Sequence, residues 1–235
     1  MKAICNVTIT PLRINADELS LMISQLLYGE KVSVMAEEKG FVKVMTLFDS
    51  VEAWVDKRHL TMISEEECDD ENQRVCRESF YASGEEGQQL VLLGSELMGR
   101  KQELKTEVSE IVKTAHQLLN TPYLLGGRSV MGFDASGFIQ MVFKVNGMSL
   151  PREVDKQSEM GESLFFLGEN QAGDLAFFEN EHGDICHVGL MLEDNRIIHV
   201  HDRVRIDQLD SSGIFNADEK RHTHKLRFVK RLITI

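Results

Sequence analysis

Gly132-Phe133-Asp134-Ala135-Ser136-Gly137-Phe138, continued by Ile139-Gln140-Met141-Val142-Phe143-Lys144-Val145, is the stretch on which the reading of this chain turns. Small and polar residues lead into an almost wholly apolar helix that Asn146-Gly147 ends. Upstream, Val108, Ile111, Val112, Ala115, Leu118 and Leu119 recur at three- and four-residue steps. They form the apolar face of an amphipathic helix that closes near Asn120-Thr121-Pro122. Downstream the period changes to that of strands, over residues 174–178, 185–192, 196–201 and 225–233. Two helices before a run of antiparallel strands predict an α+β domain from residue 106 to 235.

The residues before this domain read differently. Val7-Thr8-Ile9, Val32 to Met35, Phe41 to Val44 and Ala53-Trp54-Val55 carry β-branched and aromatic residues, with Gly29-Glu30 and Lys39-Gly40 as turns. Residues 1–64 are therefore expected to form a small β-barrel. The acidic run Ser64-Glu65-Glu66-Glu67-Cys68-Asp69-Asp70-Glu71 is self-repelling and opens an expected linker and reduced connector over 65–105.

The chain has 235 residues, 42% of them hydrophobic, enough to bury a core, and a net charge of −12. That sign argues against nucleic acid or anionic lipid as a general partner. No apolar run approaches the roughly 20 residues of a membrane span. The amino terminus shows no signal-peptide core, so a cytoplasmic protein is expected. Cys5, Cys68, Cys76 and Cys186 lack the spacing of a zinc cage or a disulfide framework.

Strand alternation puts His187 on the face opposite Cys186, and a hairpin through Glu193-Asp194-Asn195 brings His199 beside it. Such a pair suits a general base held in one tautomer. The geometric place for its nucleophile is the helix start, where the dipole and free N–H groups favour a thiolate and an oxyanion. Position 135 is alanine, whose methyl has neither proton nor lone pair to offer. Cys186 faces away from the base and is expected to be a buried structural thiol. His187, His199 and His201 could be arranged for zinc, but no cysteine or carboxylate spacing supports it; neither metal nor cofactor is expected. His116 reads as a surface or packing histidine, and the basic stretch from Lys220 to Arg231 as the solvated side of a last strand.

Five motifs in order carry a resemblance: Thr121-Pro122-Tyr123-Leu124-Leu125-Gly126-Gly127, Gly132 to Phe138, Gly173-Asp174-Leu175-Ala176-Phe177-Phe178, His187-Val188-Gly189 and Ile197-Ile198-His199. Together they resemble the NlpC-type cell-wall cysteine peptidases. Residues 1–64 resemble a bacterial SH3-like domain at Pro11-Leu12-Arg13, Gln25 to Glu30 and Glu52-Ala53-Trp54-Val55. The pairing resembles γ-D-glutamyl-L-diamino-acid endopeptidases that trim murein peptides. The resemblance implies a papain-like α+β domain behind an SH3-like barrel that helps to close the substrate groove. It places the family's nucleophile on Ala135, its base on His187 and its orienting residue on His199. Tyr123, Asp134, Ser136 and Glu153, with the altered Leu125 and Val51, form the implied substrate-binding set. Leu125 replaces the family's tryptophan, Val51 an aromatic of the SH3-like domain, and Glu153 an aspartate.

These residues lead to the expectation of an inactive homologue that keeps a peptide groove, with murein-derived peptide as partner. The alternative is an active γ-D-glutamyl-L-diamino-acid endopeptidase of murein-peptide recycling whose cysteine was deliberately exchanged for Ala135 to trap substrate. Changes at Leu125 and Val51, which trapping does not require, favour the first.

Overall fold

The computed structural model describes residues 1–69, 73–84, 87–99, 106–164 and 167–233. The chain divides into two units, Met1–Leu104 with Leu125–Val130, and Lys105–Leu124 with Met131–Ile235. Together they make a strand-rich α+β protein in which a β-sheet domain precedes the helix-bearing one.

The first unit is built on β1 (Lys2–Cys5), β2 (Ile9–Arg13), β3 (Met22–Leu27), β4 (Lys31–Glu38), β5 (Phe41–Thr46), β6 (Glu52–Asp56) and β7 (Leu60–Ile63). They join in the order β3-β2-β6-β5-β4-β1-β7. Alternate residues of β2 and β5 are buried. Leu12, Leu26, Val32, Val42, Val44, Ala53 and Val55 form the core. Lys39 and Gly40 both take positive φ, 51° and 83°, the geometry of a tight hairpin between β4 and β5. Of the expected first strand only Ile9 is in one: Thr8 instead donates its hydroxyl to the Leu90 carbonyl at 2.8 Å.

The acidic run is not a bare linker. Ser64 and Glu67 exchange a capping box, the Glu67 N–H donating to Ser64 Oγ at 3.1 Å and the Ser64 N–H to Glu67 Oε2 at 2.8 Å. This starts α1 (Glu65–Asp69), whose acidic first turn complements the helix dipole. Lys31 Nζ then donates to the Glu67 and Cys68 carbonyls at 3.0 and 2.6 Å. Asp70, Glu71 and residues 100–105 of the expected linker and connector lie outside the described residues. Between them stand β8 (Gln73–Val75), β9 (Phe80–Gly84), β10 (Gly87–Val91) and β11 (Glu96–Met98), with β9 paired to β10 and β8 to β11. Gly29, at φ 81°, could not carry a side chain, because a Cβ there would lie 1.7 Å from the Glu96 carbonyl oxygen.

Leu125–Val130 belongs to this first unit although the motif containing it begins in the second. Arg128, only 1% exposed, donates to both Glu30 oxygens at 2.9 and 2.8 Å and to the Gln25 carbonyl at 3.0 Å. A Cβ at Gly126 would stand 2.5 Å from the Met22 carbonyl oxygen.

In the second unit, α2 (Val108–Gln117) buries Ile111, Thr114 and Ala115. After the short strands β12 (Arg128–Ser129, in the first unit) and β13 (Gly132–Phe133) comes α3 (Ala135–Lys144), buried from Ser136 to Lys144. A helix apolar on nearly every side is a central one. Next are α4 (Val154–Ser158), β14 (Glu162–Leu164), β15 (Leu175–Glu179), β16 (Ile185–Met191), β17 (Arg196–His201), β18 (Arg203–Asp210), β19 (Gly213–Asn216) and β20 (Arg221–Arg231). The sheet order is β14-β20-β15-β16-β17-β18-β19, and β20 also pairs with β19. The C-terminal half of β20 lies on β14 and β15 and its N-terminal half on β19, so the sheet closes on itself. The sequence reading misses β18 and β19: β18 is rich in charge, with Arg203, Arg205, Asp207 and Asp210, and β19 has only four residues. Among the described residues no helix is long and apolar enough to cross a membrane.

Candidate active site

Asp134 caps α3: its Oδ1 accepts the Gly137 N–H at 2.8 Å. Arg152 holds that cap, donating Nη2 to Asp134 Oδ2 at 2.6 Å and Nη1 to Ser136 Oγ at 2.8 Å. Gln157 Nε2 adds bonds to the Ser136 and Pro151 carbonyls at 3.0 and 2.8 Å. The side chains of Asp134 and Ser136, read from sequence as substrate contacts, are thus engaged in fixing the first turn of α3. Ala135 is its first residue. Glu153 stands exposed beside Lys156, with 3.4 Å between Oε2 and Nζ, whereas its neighbour Arg152 does the positioning.

Helix α3 packs on β16 and β17, the strands that carry His187 and His199. Both histidines are buried, at 6% and 0% exposure. His187 Nε2 lies 3.0 Å from His199 Nδ1, and His199 Nε2 lies 3.0 Å from Asp207 Oδ2. Burial opposes ionisation of Asp207, but bonds from His199 and Arg205 outweigh it and hold the carboxyl below its ordinary range. An ionised carboxylate only accepts, so the His199 proton sits on Nε2 and its Nδ1 is an acceptor. His187 must then donate through Nε2, which leaves a lone pair on its Nδ1. Burial first, then the neighbouring imidazoles His224, His199 and His201, keep His187 well below the usual imidazole value and neutral. Such an array has the chemistry to serve as a general base with two successive orienting groups. Gly189 makes it fit: a Cβ there would meet Ile197 Cδ1 at 2.6 Å and His199 Cβ at 2.9 Å.

Asp207 is the member that sequence reasoning missed. Its only advance signal is its place two residues after Arg205, whose Nε lies 2.7 Å and Nη2 3.1 Å from the Asp207 carboxylate. His224 was also missed, being assigned to the solvated basic stretch. It turns inward instead, and its ring stacks on His187 with centroids 4.0 Å apart. Burial lowers its pKa to about 3. His201 is bonded to Glu219 Oε1 at 2.8 Å.

Tyr123, in the second unit, is 49% exposed, and burial, then the Asp134 charge, raises its phenol pKa. Leu125 is exposed in the first unit. Val51 corrects its reading as a groove wall: it is 6% exposed in the first unit's core, and its N–H donates to Thr46 Oγ1 at 2.8 Å. Cys186 is exposed rather than buried, since it lies near the open end of β16, and all four cysteines are free. Burial pushes the Cys5 thiol up to about 12.

His187, His199 and Asp207 lie on a closed sheet on which the capped, buried helix α3 packs, and the comparisons fall on this part of the chain: residues 120–221 match the NlpC/P60 family, and the domain they form has the NlpC/P60 fold. Over part of its length the chain is similar to γ-D-glutamyl-L-lysine dipeptidyl-peptidases. That of Bacillus subtilis (strain 168) is 41% identical over 97 residues, 40% of this chain and 32% of the relative. That of Bacillus cereus (strain ATCC 10987 / NRS 248) is 34% identical over 92 residues, 38% of this chain and 27% of the relative. The matched region thus spans about a third or less of these curated relatives. The crystal structure of an NlpC/P60 family protein from Bacillus cereus ATCC 10987 has a likeness of fold at TM-score 0.83, covering 100% of both chains at 20% identity.

Proposed function

We propose that this chain is a catalytically inactive NlpC-type homologue, a papain-like domain with an SH3-like companion, that binds peptidoglycan-derived peptides without cutting them. One observation carries the reading: the base array His187–His199–Asp207 is complete while the first residue of α3, where a nucleophile would stand, is Ala135. A methyl cannot be deprotonated or form an acyl-enzyme, and loss of a nucleophile typically lowers kcat by about 10⁶. Tyr123 is exposed for ligand contact, and the free N–H groups at the start of α3 suit a peptide carbonyl or carboxylate. The names of the relatives point to a ligand containing the γ-D-glutamyl-L-lysine linkage. A cytoplasmic location completes the proposal and is checked by fractionating cells that express the chain.

The test has two arms. The chain as it stands is expected to release heat on titration with a murein tripeptide and to yield no product. Ala135→Cys is expected to begin cleaving the bond after γ-D-glutamate. Turnover by the unaltered chain, or no binding to a correctly folded protein, overturns the proposal.

The intact base array favours a second reading, a working γ-D-glutamyl-L-diamino-acid endopeptidase in which alanine was substituted deliberately at 135. The codon in the source genome decides: cysteine there supports this reading, alanine the first.

A further inference from the structure

His187, His199 and His224 each present a ring nitrogen, and these atoms all lie within 4.8 Å of one another. They come from three strands, β16, β17 and β20, that the closure of the sheet brings together. We propose that this cluster is a site for one first-row divalent cation of borderline softness, of which Zn²⁺ is the probe, held by three imidazoles with the fourth position open.

The donor chemistry fits such an ion. Zn–N bonds of about 2.0–2.1 Å in tetrahedral array set nitrogens roughly 3.3 Å apart, and His187 Nε2 and His199 Nδ1 already stand 3.0 Å apart. The outer nitrogen of His199 is bonded to Asp207 at 3.0 Å, the carboxylate–histidine support that metal-bound imidazoles commonly have. His224 Nδ1 lies 2.9 Å from the Thr223 hydroxyl, leaving its Nε2 as the donor. His224 packs on His187 with ring centroids 4.0 Å apart, so its ring stands beside the pair. Binding exchanges the His187–His199 hydrogen bond for two metal–nitrogen bonds. The His187 proton moves from Nε2 to Nδ1, so no net proton is released. No thiol at 135 competes for the ion. His224 also lines an open cavity of about 870 Å³, with Glu181 and Cys186 among its walls, which supplies an entry path.

The inference does not depend on the peptide reading, because no peptide enters its test. Untagged full-length chain, stripped with a chelator, is titrated with Zn²⁺ by calorimetry and with Co²⁺ by absorption. One equivalent is expected to bind, with the intense ligand-field bands of four- or five-coordinate Co²⁺. His224→Ala is expected to weaken Zn²⁺ binding by about 100-fold or more, and Asp207→Asn by about 10–100-fold. His116→Ala and Cys186→Ser leave it unchanged. Circular dichroism of each variant checks the fold, and the parent titrations stand whichever variants fail it. No saturable binding by the parent, six-coordinate Co²⁺ bands, or undiminished binding in folded His224→Ala overturns the proposal.

Discussion

At position 135 a methyl group begins a helix that packs on the strands carrying His187 and His199, and the chemistry of those imidazoles is decided one atom at a time. Asp207 accepts from His199 Nε2, which makes His199 Nδ1 the acceptor for His187. Asp207→Asn offers an amide donor in place of the carboxylate, and His199 should respond by moving its proton to Nδ1. The expected readout is imidazole ¹⁵N NMR of metal-free protein: both rings protonated on Nε2 in the parent and both switched to Nδ1 in the variant, since a protonated His199 Nδ1 needs an unprotonated His187 Nε2 to accept from it. An unswitched spectrum would refute the assignment. Gly189→Val places a side chain where even a Cβ would stand 2.6 Å from Ile197 Cδ1. Overpacking of this kind should cost about 1–3 kcal/mol in urea unfolding and disturb His199 as well. These residues were legible unevenly. His187 and His199 follow from alternation on two strands joined by a short turn. Asp207 lies on a third strand, rich in charge, that the sequence reading misses.

At the scale of elements, α3 shows how a short motif becomes a rigid platform. Asp134 caps the helix and is itself clamped by Arg152, which also holds Ser136. Asp134→Ala removes the cap and takes from buried Arg152 a carboxylate that it bonds at 2.6 Å. A loss of about 3 kcal/mol is expected in chemical denaturation, against about 1 kcal/mol for Ser136→Ala, which loses the hydrogen bond from Arg152 and a longer one, 3.4 Å, to Asp134 Oδ1. Equal losses would show that Arg152 is not the common support. Helices α2 and α3 were readable because each carries its period and stop signals within one segment. The acidic run was misread because like charge alone argues for a linker, whereas Ser64, Glu67 and the distant Lys31 turn it into a capped helix. Val51 was misplaced for a related reason: a motif position says which residue has changed, and only packing says which way it points.

At the scale of the whole molecule, the buried imidazoles tie stability to pH. His224 has a folded pKa of about 3 against an ordinary 6.5, and His187 is depressed well below 6.5, in both cases chiefly by burial. The unfolded chain therefore binds more protons than the folded one below pH 6.5. The stability these groups contribute is present above that value and is lost as pH falls from 6.5 towards about 3, at up to about 1.4 kcal/mol per pH unit for each group. Metal-free protein in chelator should show its unfolding midpoint falling through this window. His224→Gln should flatten the fall, and an unaltered slope would show that His224 stays protonated in the folded state. By itself the sequence determined the α+β order, the helix that carries position 135, the absence of a nucleophile there and the pairing of His187 with His199. Each is written in spacing within a segment or across one hairpin, where backbone geometry leaves few choices. Only the tertiary structure decided that Asp207 completes the array, that Arg152 clamps the helix start, that Leu125–Val130 packs with the first unit and that His224 joins the other histidines. Those contacts form when a sheet closes or a loop docks on distant chain, and nothing local in the sequence records where such surfaces will meet.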